Sequence, residues 1–299
     1  MDAPEPPKCS GQAGEGLPEW TTMPSLMPPV PADLRLVVTD LDGTLLDDAK
    51  RIPDDLWPLL DELGRRDIVF SPASGRQAAT LLHQFGEAVP GLIVIAENGA
   101  VVARQGEILR TQPLAPDTAK AVLTRARALQ SDGADLGVVL CSPEIAYVER
   151  SDERFLEQIR PYYYANTVVD DLDAVDAEFV KVAVYDFAGI EDTTAPAVEA
   201  LSLDAEVVVS GQHWLDVMTR GVDKSQAVRA VQQRLGVSPA QTMVFGDYLN
   251  DLGMLDTADW SYAVANAHQK ILGAARYVAP SNNDNGVVRT VRAALETGS

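Results

Sequence analysis

The feature that most constrains this chain is an apolar strand that ends on carboxylates. Residues 34–39 read LRLVVT, and Asp40-Leu41-Asp42-Gly43-Thr44 follows without a spacer. A run that is apolar nearly throughout, rather than alternating, belongs in a parallel sheet covered on both faces. Similar runs recur at residues 68–73 and 92–96, with helical stretches at 54–66 and 76–85 between them. This alternation predicts an α/β fold built on a Rossmann-like parallel sheet. Ligands in such sheets sit at the carboxyl ends of strands. Residues i and i+2 of an extended segment point the same way, so Asp40 and Asp42 can face one site, and Gly43 lets the chain turn away. One carboxylate can then attack while the other moves a proton.

The rhythm changes after residue 100. Residues 101–103 and 108–110 flank Gly106 and read as a hairpin. A helix at 116–130, strands at 136–141 and 145–149, a helix at 152–159, a strand at 180–187, a helix near 195–201 and strands at 206–209 and 214–219 follow. The first rhythm resumes at Asp223, with helices at 224–235, 249–255, 268–275 and 286–295 and strands at 242–245 and 262–264. The expected organisation is a core of residues 32–112 and 216–299, split by an inserted α+β cap at 113–215. Residues 1–31 hold eight prolines and show no period, so a disordered tail is expected there.

Composition narrows the function. A chain of 299 residues can fill two domains. No apolar run reaches the roughly 20 residues that cross a bilayer, and residues 1–31 lack the basic and apolar stretches of a secretory signal. A cytoplasmic protein without a membrane partner is expected. Cys9 and Cys141 lack the paired spacing of a zinc site, and a reducing compartment argues against a disulfide. The net charge of −20 repels nucleic acid. It also repels phosphate esters, so a phosphate-handling role needs local positive charge from a metal or a few placed Lys and Arg. No obligate protein partner is inferred.

Three further segments carry chemistry. Gly246-Asp247-Tyr248-Leu249-Asn250-Asp251 follows the strand TMVF and enters a helix. Its hard oxygen donors suit Mg²⁺, although an ordinary capped helix start looks the same. Ala73-Ser74-Gly75-Arg76 follows the second strand, where a hydroxyl and free N–H groups can bind phosphate oxygens. Ser74 also fits a plain helix cap. Lys224 opens a helix, where the dipole disfavours a cation. A phosphate or Asp40 nearby would offset that cost, and a solvated surface lysine is the alternative. Asp171-Leu172-Asp173 repeats the spacing of Asp40 and Asp42 but lacks the preceding buried strand and the following Gly-Thr.

In this order the four segments resemble the haloacid dehalogenase superfamily. Asp40-x-Asp42-Gly43-Thr44 matches its first motif, Ser74 its second, Lys224 its third and Gly246-Asp247-x-x-Asn250-Asp251 its fourth. The insert between motifs two and three, preceded by Glu97-Asn98-Gly99-Ala100, is similar to the Cof-type branch. Residues 96–100, Ala146-Tyr147-Val148 and Ser210-Gly211 with Asp216 are most similar to bacterial sugar phosphatases. The superfamily's dehalogenases lack the second aspartate and its ion pumps carry threonine there, whereas this chain has Asp42.

The resemblance implies a mechanism. Asp40 becomes an aspartyl phosphate, and Asp42 protonates the leaving alcohol and then activates water. Mg²⁺ is held by Asp40, the Asp42 carbonyl and Asp247, with Asp251 supporting from outside. Ser74, Lys224, Asn250 and the N–H groups of Leu41 and Gly75 hold the phosphoryl oxygens. The implied function is a Mg²⁺-dependent phosphatase of small phosphorylated metabolites, sugar phosphates foremost. A phosphomutase is one alternative. A non-catalytic phosphometabolite-binding regulator is another, although a pure binder needs no nucleophile. Since the motifs hold only phosphate and metal, specificity is expected from the insert, with Ser210, Gln212 and His213 meeting substrate hydroxyls. Joined near residues 113 and 215, the insert is expected to close as a hinged lid. Arg76 can bridge core and insert or reach substrate. Trp214 and Tyr147 fit core packing better than the pocket, and His83 and His268 fit structural roles.

Overall fold

The computed structural model describes residues 30–297. Except for its last two residues, the tail expected at 1–31 lies outside the described residues, as does Cys9. The first half of the core runs β1 (Leu36–Thr39), α1 (Leu56–Arg65), β2 (Val69–Pro72), α2 (Ala78–Phe85), β3 (Ile93–Ala96), β4 (Val101–Arg104) and β5 (Glu107–Thr111). The insert runs α3 (Pro116–Ser131), β6 (Leu136–Cys141), β7 (Ala146–Val148), α4 (Glu153–Ile159), β8 (Asn166–Val168), β9 (Lys181–Asp186), α5 (Thr194–Glu199), β10 (Ala205–Gly211) and β11 (Trp214–Thr219). The core resumes with α6 (Lys224–Leu235), β12 (Thr242–Gly246), α7 (Leu252–Leu255), β13 (Trp260–Val264), α8 (Gln269–Ala274), β14 (Tyr277–Ala279) and α9 (Gly286–Thr297).

The core sheet is parallel, in the order β14-β13-β12-β1-β2. All four residues of the central β1 are buried, as an apolar run covered on both faces requires. Register sets the site. Thr39 pairs with both Phe245 and Pro72, so Asp40, Asp247 and Ser74 leave the sheet side by side. β3 extends this sheet by one parallel bridge, Ala73 to Ile95, and otherwise pairs antiparallel with β4.

The insert sheet has the order β10-β11-β9-β6-β7-β8, antiparallel except for β7 and β8. Its strands sort their side chains with period two. Val182 and Val184 pack with Val122 and Ala126 of α3 in one apolar cluster. Ala183 and Tyr185 point the other way, into the cluster continuous with the core. Directly opposed residues of an antiparallel pair share a face. Met218, Asp216 and Trp214 stand opposite Lys181, Ala183 and Tyr185, so Lys181, Tyr185, Trp214 and Asp216 all face the core. β11 continues to Thr219, which puts residue 215, the expected junction, inside a strand.

Strands β8 and β14 escape the sequence reading. Each is three residues long, too short to show a period, and β8 (NTV) is largely polar. The Asp171-Leu172-Asp173 repeat is structural: both carboxylates pair with Arg127. No helix among the described residues is long and apolar enough to cross a membrane.

Besides its two connections, the insert rests on the start of α2. The Gln77 side chain donates to the Ala165 carbonyl at 2.9 Å and accepts from the Ala165 N–H at 3.0 Å. Thr80 Oγ1 donates to the Tyr162 carbonyl and accepts from the Tyr164 N–H, and His83 stacks on Tyr164. A lid motion would have to break these bonds. Replacing the buried Gln77 with Ala leaves the Ala165 N–H unpaired and its carbonyl with the Ala146 N–H alone, which costs about 2 kcal/mol. The melting temperature should fall by roughly 5 °C. An unchanged melt in differential scanning calorimetry would show that this seam holds nothing together.

Candidate active site

The site is organised around a buried ammonium. Lys224 is the first residue of α6, whose cap Asp223 accepts from the Gln226 N–H. Its side chain is fully buried, with Nζ 2.5 Å from Asp40 Oδ1 and 2.6 Å from Asp251 Oδ1. Burial disfavours its charge, but Asp251 and Asp40 outweigh that and hold its pKa well above the usual value. Asp251 has both oxygens engaged, since Oδ2 accepts from the N–H groups of Asp247 and Tyr248.

Asp40, Asp247 and Asp251 bring carboxylate oxygens within 4.8 Å of one another. Thr44 Oγ1 donates to Asp247 Oδ1 at 2.7 Å. Gly43, at φ +89°, permits this approach, because a Cβ there would lie 2.5 Å from Asp247 Oδ2. Burial raises the Asp40 pKa, opposed by Lys224 and reinforced by the neighbouring carboxylates. Burial and the charge of Asp251 push Asp247 up to about 6. The cluster is short of positive charge, and its oxygen donors fit a hard cation.

Asp42 sits apart from this cluster. Its carboxylate takes a forked bond from Arg76, at 2.9 Å and 3.1 Å, and an ion pair from Lys50 at 3.0 Å. Burial would raise its pKa, but Arg76 and Lys50 outweigh it and hold the carboxyl below the usual range. Arg76 also donates to the Pro161 carbonyl of the insert at 3.2 Å, so it bridges core and insert.

Ser74 does not cap α2, which begins at Ala78 with Gln77 at the cap. Ser74 Oγ instead accepts from the Arg76 N–H, leaving its proton to donate. Among the described residues, the N–H groups of Leu41 and Gly75 meet no backbone acceptor. Ser74, Gly75 and Asn250 line one cavity of about 580 Å³ with Asp40, Asp42 and Asp247. Its far wall belongs to the insert. Ser210, near the end of β10, and Gln212 and His213, from the turn to β11, line it.

Trp214 lines the cavity too, against Tyr185 and Tyr162 at ring distances of 4.9 Å and 5.5 Å. Tyr147, in contrast, packs edge-on to Phe179. His268 accepts from the Lys270 N–H at the start of α8. The sequence reading missed Lys50, Tyr162, Tyr163, Lys181 and Tyr185, all of which line the cavity. For Lys181 a signal existed: it is a lone charge in the apolar run VKVAVY.

Comparison with known proteins defines the class. The family model for haloacid dehalogenase-like hydrolases matches residues 37–291. The chain belongs to that family, and it is a hydrolase of the phosphatase class. It is 28% identical over 274 residues to the 5-amino-6-(5-phospho-D-ribitylamino)uracil phosphatase YbjI of Escherichia coli, covering 88% of this chain and 97% of that protein. It is 27% identical over 241 residues to the HMP-PP phosphatase of Cronobacter sakazakii, covering 80% and 86%. A haloacid dehalogenase-like hydrolase from Bacteroides thetaiotaomicron shares the fold, with a TM-score of 0.77 and 21% identity over 87% of this chain and 99% of that one.

The raised pKa of Asp247 has a sign that can be tested. A carboxyl that holds its proton more tightly when folded stabilises the protein fully below pH 3.8 and loses that contribution as pH rises through about 6. In metal-free protein, wild type should therefore lose on the order of 2 kcal/mol relative to Asp247→Asn between pH 4 and pH 7. Urea unfolding in EDTA measures this, and a pH-independent difference would contradict it.

Proposed function

We propose that the chain is a Mg²⁺-dependent phosphatase of small phosphorylated metabolites, working through an aspartyl phosphate on Asp40. The observation that supports this most is the Lys224-centred cluster of Asp40, Asp247 and Asp251 at the ends of β1 and β12. Asp40, the Asp42 carbonyl and Asp247 would hold the ion, while Asp251 fixes Lys224 and the turn. When bound, the ion supplies positive charge to the phosphoryl oxygens and to the attacking carboxylate.

The chain's own residues account for the rest. A carboxylate oxygen of Asp40 attacks phosphorus, the bond to the leaving oxygen breaks, and Asp42 gives that oxygen a proton. Water then attacks the aspartyl phosphate, its proton returns to Asp42, and inorganic phosphate leaves. Asp42 must first leave Arg76 and Lys50, since a carboxyl held by two cations has no proton to give. Ser74, Lys224, Asn250 and the N–H groups of Leu41 and Gly75 steady the phosphoryl oxygens.

Asp40→Asn should abolish phosphate release, because an amide cannot form the intermediate. Asp42→Asn should slow turnover by about 10²- to 10⁴-fold. Chelation should remove activity and Mg²⁺ restore it. A phosphate-release assay decides this, and also separates hydrolysis from transfer to a sugar or mere binding. Near-normal turnover by Asp40→Asn would refute the nucleophile.

For the substrate, a sugar or polyol phosphate carrying a planar ring suits the cavity best. Ser210, Gln212 and His213 offer polar groups for hydroxyls, and Tyr162, Tyr185 and Trp214 offer ring faces. The name of the Escherichia coli relative joins a phosphorylated ribityl chain to a uracil ring. Alanine at Ser210, Gln212 or His213 should lower kcat/KM for the best metabolite and spare p-nitrophenyl phosphate. Equal losses on both would remove these residues from specificity.

A further inference from the structure

We infer that Asp216 and Lys181, both on the insert, are positioning residues that set the orientation of the phosphate-binding groups on the core. The inference rests on the phosphatase reading above. Lys181 is 1% exposed, Glu97 1% and Asp216 4%, so a charged triad is buried between insert and core. Lys181 Nζ lies 2.6 Å from Glu97 Oε2 and 3.5 Å from Asp216 Oδ1, and it donates to the Gly75 carbonyl at 3.0 Å. Asp216 Oδ2 accepts from Asn98 Nδ2 at 3.0 Å, and Asn98 Oδ1 accepts from Asn250 Nδ2 at 3.2 Å. Gly75 and Asn250, both assigned to the phosphoryl group, are thus tied back to neighbouring strands of the insert.

The direction of this chain of bonds matters. An amide has a donor end and an acceptor end, whereas a carboxylate only accepts. The Asp216 side chain therefore draws the NH₂ of Asn98 toward itself and turns the Asn98 oxygen to Asn250. Asn250 must then present its NH₂ on that side. One carboxylate fixes two amides in series, and Lys181 beside it holds that carboxylate in place.

The local backbone is built for this. Glu97 and Asn98 both have positive φ, 51° and 54°. Non-glycine residues held there are strained and persist only where the surroundings enforce them. Gly99 follows at φ +100°, and a Cβ on it would lie 2.3 Å from the Asp223 carbonyl, so the turn is wedged against the start of α6.

Asp216→Asn is the informative variant, since it keeps shape and removes only the fixed polarity. Its oxygen is claimed by Lys181, which leaves its NH₂ facing Asn98 and reverses both amides. With Mg²⁺ present, kcat should fall about 10- to 100-fold on the best metabolite and on p-nitrophenyl phosphate alike. Binding of inorganic phosphate, measured by calorimetry, should weaken by a similar factor while the melting temperature stays within a few degrees. Asn98→Ala should lower kcat comparably, and the double variant should be no worse than Asn98→Ala alone. Wild-type phosphate affinity and turnover in Asp216→Asn, or additive losses in the double variant, would overturn the assignment. Wild-type protein that releases no phosphate would instead refute the phosphatase reading, and the calorimetric arm would still judge the relay.

Discussion

One ammonium group makes the rest of the site possible. Asp40 follows β1 and Asp251 lies in the turn after the adjacent parallel strand β12, and their carboxylates are buried. Without a cation between them they would repel each other in a poorly solvated space. Lys224 reaches both oxygens at bonding distance from the first turn of α6. The unfavourable placement of a cation at a helix start is offset by these carboxylates. The second aspartate of the first motif is handled separately, by Arg76 and Lys50. Two carboxylates two residues apart are thus kept in different electrostatic surroundings, as the proposed nucleophile and proton carrier require.

The insert is more than a cover over this centre. Because side chains alternate across its strands, one face packs against α3 and α5 and the other supplies Lys181, Tyr185, Trp214 and Asp216 to the cavity. The aromatic members shape the space beyond the proposed phosphoryl position. The charged members reach past it and bond to the Gly75 loop and to Asn98. With the seam along Gln77 and Thr80, these bonds join insert and core at several points besides the two chain connections. A hinged lid, expected from the connections alone, would have to find a new partner for each of these partly buried polar bonds on opening.

The core was legible because local pattern and global fold agree there. Continuous apolar runs, each followed by a polar motif, mark parallel strands ending at a site, and Asp40, Ser74, Lys224 and Asp247 all emerge there. The insert sheet was less legible. The three-residue strand β8 has no apolar signature of its own, and β14 is similarly short. The cavity lining from Tyr162, Tyr163 and Tyr185 carried no local signal, since Tyr162 and Tyr163 stand in the turn after α4 and Tyr185 is one more apolar residue of a buried strand.

What the sequence determined by itself is the order of chemical groups along strand ends: a carboxylate pair, a hydroxyl turn, a helix-opening lysine and an acidic turn. Strand period and apolar runs suffice for that, because they depend only on neighbours in the chain. What only the tertiary structure decided is which charges meet. The pairing of Asp42 with Arg76, of Lys181 with Glu97, and of Asp216 with Asn98 joins residues 34, 84 and 118 positions apart. Such contacts are set by sheet register and by how the insert seats on the core, and no local pattern encodes either.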